Sequence, residues 1–181
     1  MGPSEQTTPP PTAVPPQRHP KAPPPGTTLG AHYARCFACG DEHETGLRLQ
    51  MTVQEGVAVR CAFTVTEHHM GAPGLAHGGV LASALDEALG SLAWLMLTPA
   101  VTGRLEVDYL TPVPVGRTVV IDARCTGVDG RKVYVEGVGR LDGDDGAVAI
   151  RGAGLFIAVP HEHFARHGGC EQDTLPGRFN P

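Results

Sequence analysis

A glycine-rich turn that runs directly into a long apolar helix is the feature that most constrains this chain. Residues 74–79 read Gly-Leu-Ala-His-Gly-Gly, and the apolar run at 80–97 carries only two charged residues, Asp86 and Glu87. A helix start leaves backbone N–H groups unpaired, which suits the binding of an oxyanion. A carboxylate in an apolar helix is costly to bury unless it is paired or used. The stretch therefore predicts an acyl-transfer site made of backbone donors and a helix carboxylate.

The charge of the chain argues against two classes of partner. A net charge of −5 over 181 residues offers no basic surface for nucleic acid or for an anionic membrane. Residues 80–97 have the length of a marginal membrane span, but Asp86 and Glu87 would be costly in the middle of one. We therefore expect the core helix of a soluble protein, with neither nucleic-acid nor membrane partners.

The cysteines indicate a reducing environment. They are five in number, and the N-terminus has no charged segment followed by an apolar one, as a secretory signal would. An odd number of cysteines in such a chain does not indicate a disulfide framework, so we expect a cytoplasmic protein. The five are Cys36, Cys39, Cys61, Cys125 and Cys170.

Cys36 and Cys39 form a C-x-x-C motif with His43 nearby. Such a motif is compatible with zinc or redox chemistry. The sequence offers no second half of a four-ligand zinc set, because the other cysteines are isolated and distant. A redox C-x-x-C normally opens a helix, whereas Gly40 follows this one at once. We therefore predict a structural turn, with no metal and no cofactor.

Composition divides the chain into three parts. Residues 1–30 are rich in proline, threonine and glycine and nearly free of large apolar side chains, which predicts a disordered N-terminal tail. Residues 31–160 carry periodic apolar patterns and form the predicted folded domain. Residues 161–181 lose that periodicity and are predicted to be a C-terminal tail, whose histidines are solvated rather than bound to metal.

Alternation of apolar and polar residues predicts six strands around the one helix. Two strands form a hairpin before the helix and four follow it, which gives the order β-β-α-β-β-β-β. One sheet that buries an apolar face against one long helix is an α+β domain in two layers. The predicted strands cover residues 47–52, 57–65, 102–110, 117–128, 131–141 and 147–159.

Three segments together resemble a known family. Residues 71–79 read GAPGLAHGG and are followed by Asp86, and residues 105–112 read LEVDYLTP. This pattern resembles the hotdog-fold acyl-CoA thioesterases of the phenylacetyl-CoA and 4-hydroxybenzoyl-CoA type. The opening segment CFACG at 36–40 is similar to the entry segment of one branch of that family. The resemblance covers roughly residues 33–160 and implies a hotdog fold, one long central helix wrapped by a curved antiparallel sheet.

The resemblance also implies roles for particular residues. The family's helix carboxylate, a nucleophile or general base, corresponds to Asp86. The glycine whose N–H polarises the thioester carbonyl corresponds to Gly78 or Gly79, and His77 helps to shape that turn. The Ser or Thr that orients the attacking water in some members corresponds to Thr102.

One position departs from the family pattern. Many members carry Asn or Gln six residues before the histidine, where this chain has Gly71. The pocket beside the helix is expected to be lined by apolar side chains, so the acyl group is expected to be aliphatic or aryl. The residues predicted to bind substrate are Gly71, Gly74, Val80 and Trp94.

The spacing on the helix predicts an oligomer. Gly79 and Asp86 are seven residues apart, about 10 Å along a helix axis, which is too far for both to act on one carbonyl. Two antiparallel copies of the helix related by a two-fold axis would bring Gly79 of one copy near Asp86 of the other. We therefore expect a homodimer with shared sites, and the resemblance implies that dimers often pair into tetramers.

Hydrolysis of an acyl-CoA thioester to a carboxylic acid and CoA is the leading functional hypothesis, with CoA present only as part of the substrate. Asp86 can act as base or as nucleophile, and the sequence leaves both open. One alternative is a non-catalytic acyl-CoA or ligand-binding hotdog protein. Another is a hotdog hydratase or dehydratase, which usually has a histidine five residues after the carboxylate, where this chain has Ser91.

Overall fold

The computed structural model describes residues 2–168, in which one antiparallel sheet of seven strands packs against one main helix. The sheet order is β1-β2-β3-β7-β8-β9-β6, and β4 and β5 form a separate small pair. The strands are β1 (Thr28–Leu29), β2 (Met51–Val53), β3 (Ala58–Thr64), β4 (Met70–Ala72), β5 (Leu75–Ala76), β6 (Ala100–Tyr109), β7 (Thr118–Asp129), β8 (Lys132–Leu141) and β9 (Val148–Ala158). The helices are α1 (Gly78–Gly90), α2 (Ala93–Met96) and α3 (Glu162–Gly168), with a 3-10 turn at Glu67–His69.

The core lies between α1 and the sheet, as the α+β prediction requires. The buried residues of α1 recur at helical spacing and contact strands β3 and β6 to β9. The sheet approaches the helix so closely that a Cβ atom at Gly152 would lie 2.2 Å from Leu85 Cδ2. A Cβ at Gly137 would lie 2.9 Å from Leu85 Cδ1, so glycine at both positions lets the sheet wrap the helix. The buried residues of α1 are Leu81, Ala84, Leu85, Ala88 and Leu89.

The helical stretch Gly78–Met96 is long and apolar enough to cross a membrane by length and composition alone. Its leucines nevertheless pack inside the domain, where they are at most 1% exposed, apart from Leu81 at 4%. The stretch is therefore the core helix of the domain. The most deeply buried of these residues are Leu85, Leu89, Leu92 and Leu95.

The first predicted strand is shorter than expected, since β2 begins only at Met51. Arg48 has a φ of 51°, in the left-handed region, which interrupts the extended backbone predicted from residue 47. Leu47 and Leu49 are still buried, and their N–H groups donate to the carbonyls of Phe37 and Ala38. This segment thus joins the turn at residues 36–40 to the chain that leads into β2.

The N-terminal segment differs from the disordered tail predicted for residues 1–30. The Ser4 backbone N–H donates to Glu106 on β6, and Thr7 is only 2% exposed. Further along, Val14 forms a β-bridge with Val128, and β1 pairs with β2. Composition showed the absence of an apolar core in this segment, but the sheet supplies hydrogen-bond partners for its backbone.

The C-terminal part, which was predicted to be a tail, begins with a short helix. Residues 162–168 form α3, in which the rings of His163 and His167 lie 4.7 Å apart between centroids. Residues 169–181 lie outside the described residues, and so does Cys170. The boundaries of the domain at 31 and 160 stay a prediction.

Candidate active site

The turn before α1 is closed by His77, which caps the helix. His77 Nδ1 accepts a hydrogen bond from the Gly79 N–H at 2.8 Å, and its own N–H donates to the His69 carbonyl. Within residues 2–168 the Gly78 N–H makes no hydrogen bond. Of the two predicted backbone donors, Gly79 is therefore occupied by the cap, and Gly78 is available to a ligand.

Two glycines make room for the His77 ring. A Cβ atom at Gly71 would lie 2.7 Å from His77 Cα and 2.8 Å from its Cδ2. A Cβ at Gly79 would lie 3.0 Å from His77 Nδ1. The position where the family often has Asn or Gln is thus glycine in this chain because His77 packs directly on it.

Asp86 and Thr102 meet where the helix crosses the edge of the sheet. Thr102 Oγ1 donates a hydrogen bond to Asp86 Oδ1 at 2.9 Å. Burial raises the pKa of the Asp86 carboxyl, as does nearby Glu87, while the hydrogen bond from Thr102 opposes the shift. A register shift between Thr102 and Arg104 bends β6 at this point. The carboxylate is therefore held in one orientation beside an exposed strand edge.

The turn and the carboxylate do not meet within one chain. Gly78 and Asp86 lie on the same helix, eight residues apart, which corresponds to about 12 Å along its axis. The structure brings together His77 with Gly79 and Asp86 with Thr102, but it leaves these two pairs separated. A second copy of the chain is needed if both pairs serve one carbonyl.

A cavity of about 290 Å³ opens beside the Gly78 turn. Tyr109 borders it, and its hydroxyl donates to the Gly78 carbonyl at 3.0 Å. Sequence reasoning gave no role to Tyr109, the last residue of β6, or to Leu110 after it, although both are about half exposed. None of the predicted substrate-binding residues lines this cavity in the single chain. They are Gly71, Gly74, Val80, which packs on the core, and Trp94, which is half-buried in α2.

A second cluster of polar side chains includes Glu87, the residue after Asp86. His32, Cys36, Cys39 and Glu87 place one ligand atom each within 4.8 Å of all the others. Burial raises the pKa of the Cys39 thiol, and the Glu87 carboxylate raises it further. Burial also acts to raise the pKa of Glu87, but hydrogen bonds from His32 and both thiols outweigh it, so that pKa is lowered.

Sequence reasoning considered the wrong histidine for this cluster. The ring of His43 lies edge-to-face against Phe37, at 5.4 Å between centroids, instead of at the cysteines. His32 and Glu87 were not considered as partners of the C-x-x-C motif. The spacing of His32, four residues before Cys36, was an available signal, whereas Glu87 is 51 residues away and only the fold brings it close.

Residues 73–147 match the sequence pattern described as Thioesterase superfamily. These residues belong to a thioesterase superfamily domain. The matched part includes the Gly78 turn, Asp86, Glu87 and Thr102. It excludes the other three members of the cluster, His32, Cys36 and Cys39.

Known proteins with a similar domain agree with this assignment. Acyl-coenzyme A thioesterase THEM4 from Xenopus laevis is 34% identical over 99 residues, which are 55% of this chain and 44% of that protein. The chain spans about half the length of the curated relatives it matches. A solved thioesterase superfamily protein is 28% identical, with a TM-score of 0.64 over 70% of this chain and 62% of the other.

A more distant structure shows the same fold. A protein from Streptococcus mutans UA159, solved bound to acetyl CoA, is 21% identical with a TM-score of 0.57, over 61% of this chain and 88% of the other. These similarities confirm the predicted hotdog fold of the thioesterase superfamily domain, with its long helix packed against a large antiparallel sheet.

Proposed function

We propose that this protein hydrolyses acyl-CoA thioesters to a carboxylic acid and free CoA. The observation that carries the proposal is the hydrogen bond from Thr102 Oγ1 to Asp86 Oδ1 inside a thioesterase superfamily domain. A carboxylate fixed by a neutral donor, next to an exposed strand edge, suits the activation of water or direct attack on a carbonyl. Both roles of Asp86 stay open in the proposal.

The Gly78 N–H is the proposed donor to the thioester oxygen. That oxygen gains negative charge as the carbonyl is attacked, and one fixed donor of this kind contributes about 3–4 kcal/mol to the transition state. Gly78 stands at the first turn of α1, so the helix dipole adds to the effect. The Gly79 N–H is held by His77 and keeps the turn in shape. Collapse of the tetrahedral intermediate then expels the CoA thiolate.

We propose that two copies share each site. Strand β6 is an edge of the seven-stranded sheet, and its residues Thr102, Gly103 and Arg104 are exposed. An edge strand of ten residues offers unpaired backbone groups to a second copy. Antiparallel pairing of two such edges would also set the two α1 helices antiparallel, with Gly78 of one copy toward Asp86 of the other. Pairing of dimers into tetramers is a further part of the proposal.

The proposed substrate has an apolar acyl group. The cavity beside Gly78 is lined mainly by carbon atoms from Leu75, Leu81, Val113 and the ring of Tyr109. The Streptococcus mutans protein with the same fold was solved with acetyl CoA, which supports CoA as the carrier of the thioester. No further cofactor is proposed for the reaction.

The hydratase alternative gains no support from the structure. Such a site needs a second acid or base on the helix, and Ser91 stands at the position where a histidine would be expected. The Ser91 side chain is buried, and its hydroxyl donates to the Ala88 carbonyl at 2.8 Å. The Ser91 side chain therefore pairs with a carbonyl at the end of α1 and is not positioned as an acid or base for a substrate.

An acyl-CoA panel tests the proposal. Purified protein is incubated with short, long and aryl acyl-CoAs, and thiol release is followed with a chromogenic thiol reagent. We expect release from apolar acyl-CoAs, and a loss of at least about a hundredfold in kcat for Asp86→Asn. Asp145→Asn is the matched control, because Asp145 is exposed in the β8–β9 turn, and it should keep full activity.

Two outcomes would contradict the proposal. Equal rates for Asp86→Asn and the wild-type protein would remove Asp86 from the chemistry. Saturable binding of acyl-CoA without any thiol release would instead favour the non-catalytic binding protein.

A further inference from the structure

The four side chains His32, Cys36, Cys39 and Glu87 form a site that the proposed hydrolysis does not use. Cys39 Sγ lies 3.0 Å from His32 Nδ1, and His32 Nδ1 lies 3.3 Å from Glu87 Oε1. Cys36 Sγ lies 3.9 Å from Glu87 Oε2, and the ligand atoms all fall within 4.8 Å of one another. Two sulfurs, one imidazole nitrogen and one carboxylate oxygen therefore converge on a single point.

The geometry points to a zinc ion bound by His32, Cys36, Cys39 and Glu87. Zinc–sulfur bonds of about 2.3 Å and zinc–nitrogen or zinc–oxygen bonds of about 2.0–2.2 Å place the ligands of a tetrahedron about 3.3–3.8 Å apart. The separations of 3.0 Å from Cys39 Sγ to His32 Nδ1 and 3.3 Å from His32 Nδ1 to Glu87 Oε1 are close to that range, and the four ligand atoms lie within 4.8 Å of one another. A tetrahedral set with two thiolates is typical of zinc among the divalent metals.

The turn that carries the cysteines is built to hold them in place. The Gly40 N–H donates to the Cys36 carbonyl at 2.9 Å and closes the C-x-x-C turn. A Cβ at Gly40 would lie 2.4 Å from the Ala34 carbonyl oxygen and 2.6 Å from the Cys36 nitrogen, so only glycine fits there. The Leu47 N–H donates to the Phe37 carbonyl and ties the turn to the sheet. The two sulfurs are thus positioned by backbone contacts before any metal binds.

Glu87 supplies the ligand that sequence spacing did not offer. It lies on α1 directly after Asp86, and its side chain is 18% exposed. A carboxylate at such a place needs a cation or strong donors nearby. On binding, the two thiols release their protons to solvent, and two thiolates and the carboxylate offset the charge of Zn²⁺. His32 contributes its neutral imidazole.

The site would be structural. Four protein ligands complete the tetrahedron and leave no open position for water or substrate. The ion would join the turn at residues 36–40 to α1, at the residue next to Asp86. Its expected effect is to fix the entry segment of the domain against the helix, whether or not the protein hydrolyses thioesters.

Metal content of the wild-type chain of 181 residues is the first test. The untagged protein is purified under reducing conditions without chelator, dialysed against zinc, and measured by inductively coupled plasma mass spectrometry. We expect about one zinc per chain. X-ray absorption of that protein should give two sulfur and two nitrogen or oxygen neighbours, and cobalt substitution should give the intense absorption of tetrahedral thiolate coordination. These measurements require no variant to fold.

Variants identify the ligands. Cys36→Ser, Cys39→Ser and Glu87→Gln should each lower the zinc content severalfold. Cys125→Ser is the matched control, because Cys125 is buried and its thiol donates to the Gly127 carbonyl, outside the cluster; it should keep one zinc. Circular dichroism of each variant checks folding.

Three results would overturn the inference. The wild-type protein could bind no zinc after dialysis, or its metal could lack sulfur neighbours. Alternatively, mass spectrometry of tryptic peptides could find Cys36 and Cys39 joined in a disulfide that persists under the same reducing conditions.

Discussion

Thr102 Oγ1 donates a hydrogen bond of 2.9 Å to Asp86 Oδ1, across the contact between the edge strand β6 and helix α1. The residues are 16 apart in the chain, and α2 and a proline turn separate them. This single bond fixes one carboxylate oxygen and leaves the other for a reactant. The proposed chemistry depends on it, so its removal is the most direct test beyond Asp86 itself.

Thr102→Val should lower kcat for acyl-CoA hydrolysis by roughly tenfold to a hundredfold, with a smaller effect on KM. The substitution keeps the shape of the side chain and removes a hydrogen bond to a charged group, worth about 1.5–3 kcal/mol. Thr102→Ser restores the hydroxyl and should recover most of the rate. Steady-state kinetics on both variants checks this. Equal kcat for the valine variant and the wild-type protein would show that the bond has no catalytic role.

Gly71→Ala should destabilise the turn that holds His77. The added Cβ would lie 2.7 Å from His77 Cα, a backbone atom that cannot move independently. We expect a loss of about 1–3 kcal/mol in the free energy of unfolding, measured by denaturant titration. Gly78→Ala is the control, because its Cβ would meet the Tyr109 ring at 3.4 Å, an ordinary contact. The same stability for both variants would contradict the packing of His77 on Gly71.

Substitutions at Gly152 and Leu85 should have strongly non-additive effects on the free energy of unfolding. A Cβ at Gly152 would lie 2.2 Å from Leu85 Cδ2, so Gly152→Ala should cost about 1–3 kcal/mol or more by overpacking. Leu85→Ala should cost about 2–5 kcal/mol through the cavity it leaves. The double variant should lose clearly less than the sum, because the smaller side chain relieves the clash. Urea unfolding of the four proteins measures the difference, and simple additivity would contradict the close approach.

Docking of the N-terminal segment should weaken in acid. Hydrogen bonds from the side chain and backbone of Ser4, and one from Arg104, lower the pKa of Glu106 from 4.5 to about 2. Because the pKa of Glu106 is lowered in the folded state, its contribution to docking is complete above pH 4.5 and is lost as the pH falls toward 2. Digestion with an acid protease should therefore release residues 2–14 faster at pH 2 than at pH 4.

Glu106→Gln provides the control for this pH dependence. The amide cannot titrate, so cleavage of residues 2–14 should be faster than in the wild-type protein at pH 4 and should lose the pH-dependent step attributed to Glu106. A wild-type segment that is cut equally fast at both pH values, after correction for protease activity on an unfolded substrate, would contradict the role of Glu106.

The local pattern of apolar and polar residues was sufficient to predict the main helix and strands of this fold. The order of the main strands and of the long helix along the chain followed from apolar periodicity, which records the side of each element that faces the core. The order of the strands within the sheet, where β6 pairs with β9, did not follow from it. The roles of the glycine turn and of Asp86 were predicted because these residue types cost stability at their positions unless they have a function there. The shorter β2 was missed because Arg48 takes a left-handed backbone, and the periodicity of its neighbours gives no sign of that.

The sequence by itself determined which elements form and which helix carries the carboxylate. Only the tertiary structure brought Thr102 on β6 to Asp86 on α1. It also placed the N-terminal segment against β6 and β7, and it brought Glu87 to Cys36 across 51 residues. The physical reason is the sequence separation of the interacting residues. Periodicity and turn chemistry involve residues a few positions apart, whereas a buried polar group can find its hydrogen-bond partner on a segment distant in the sequence.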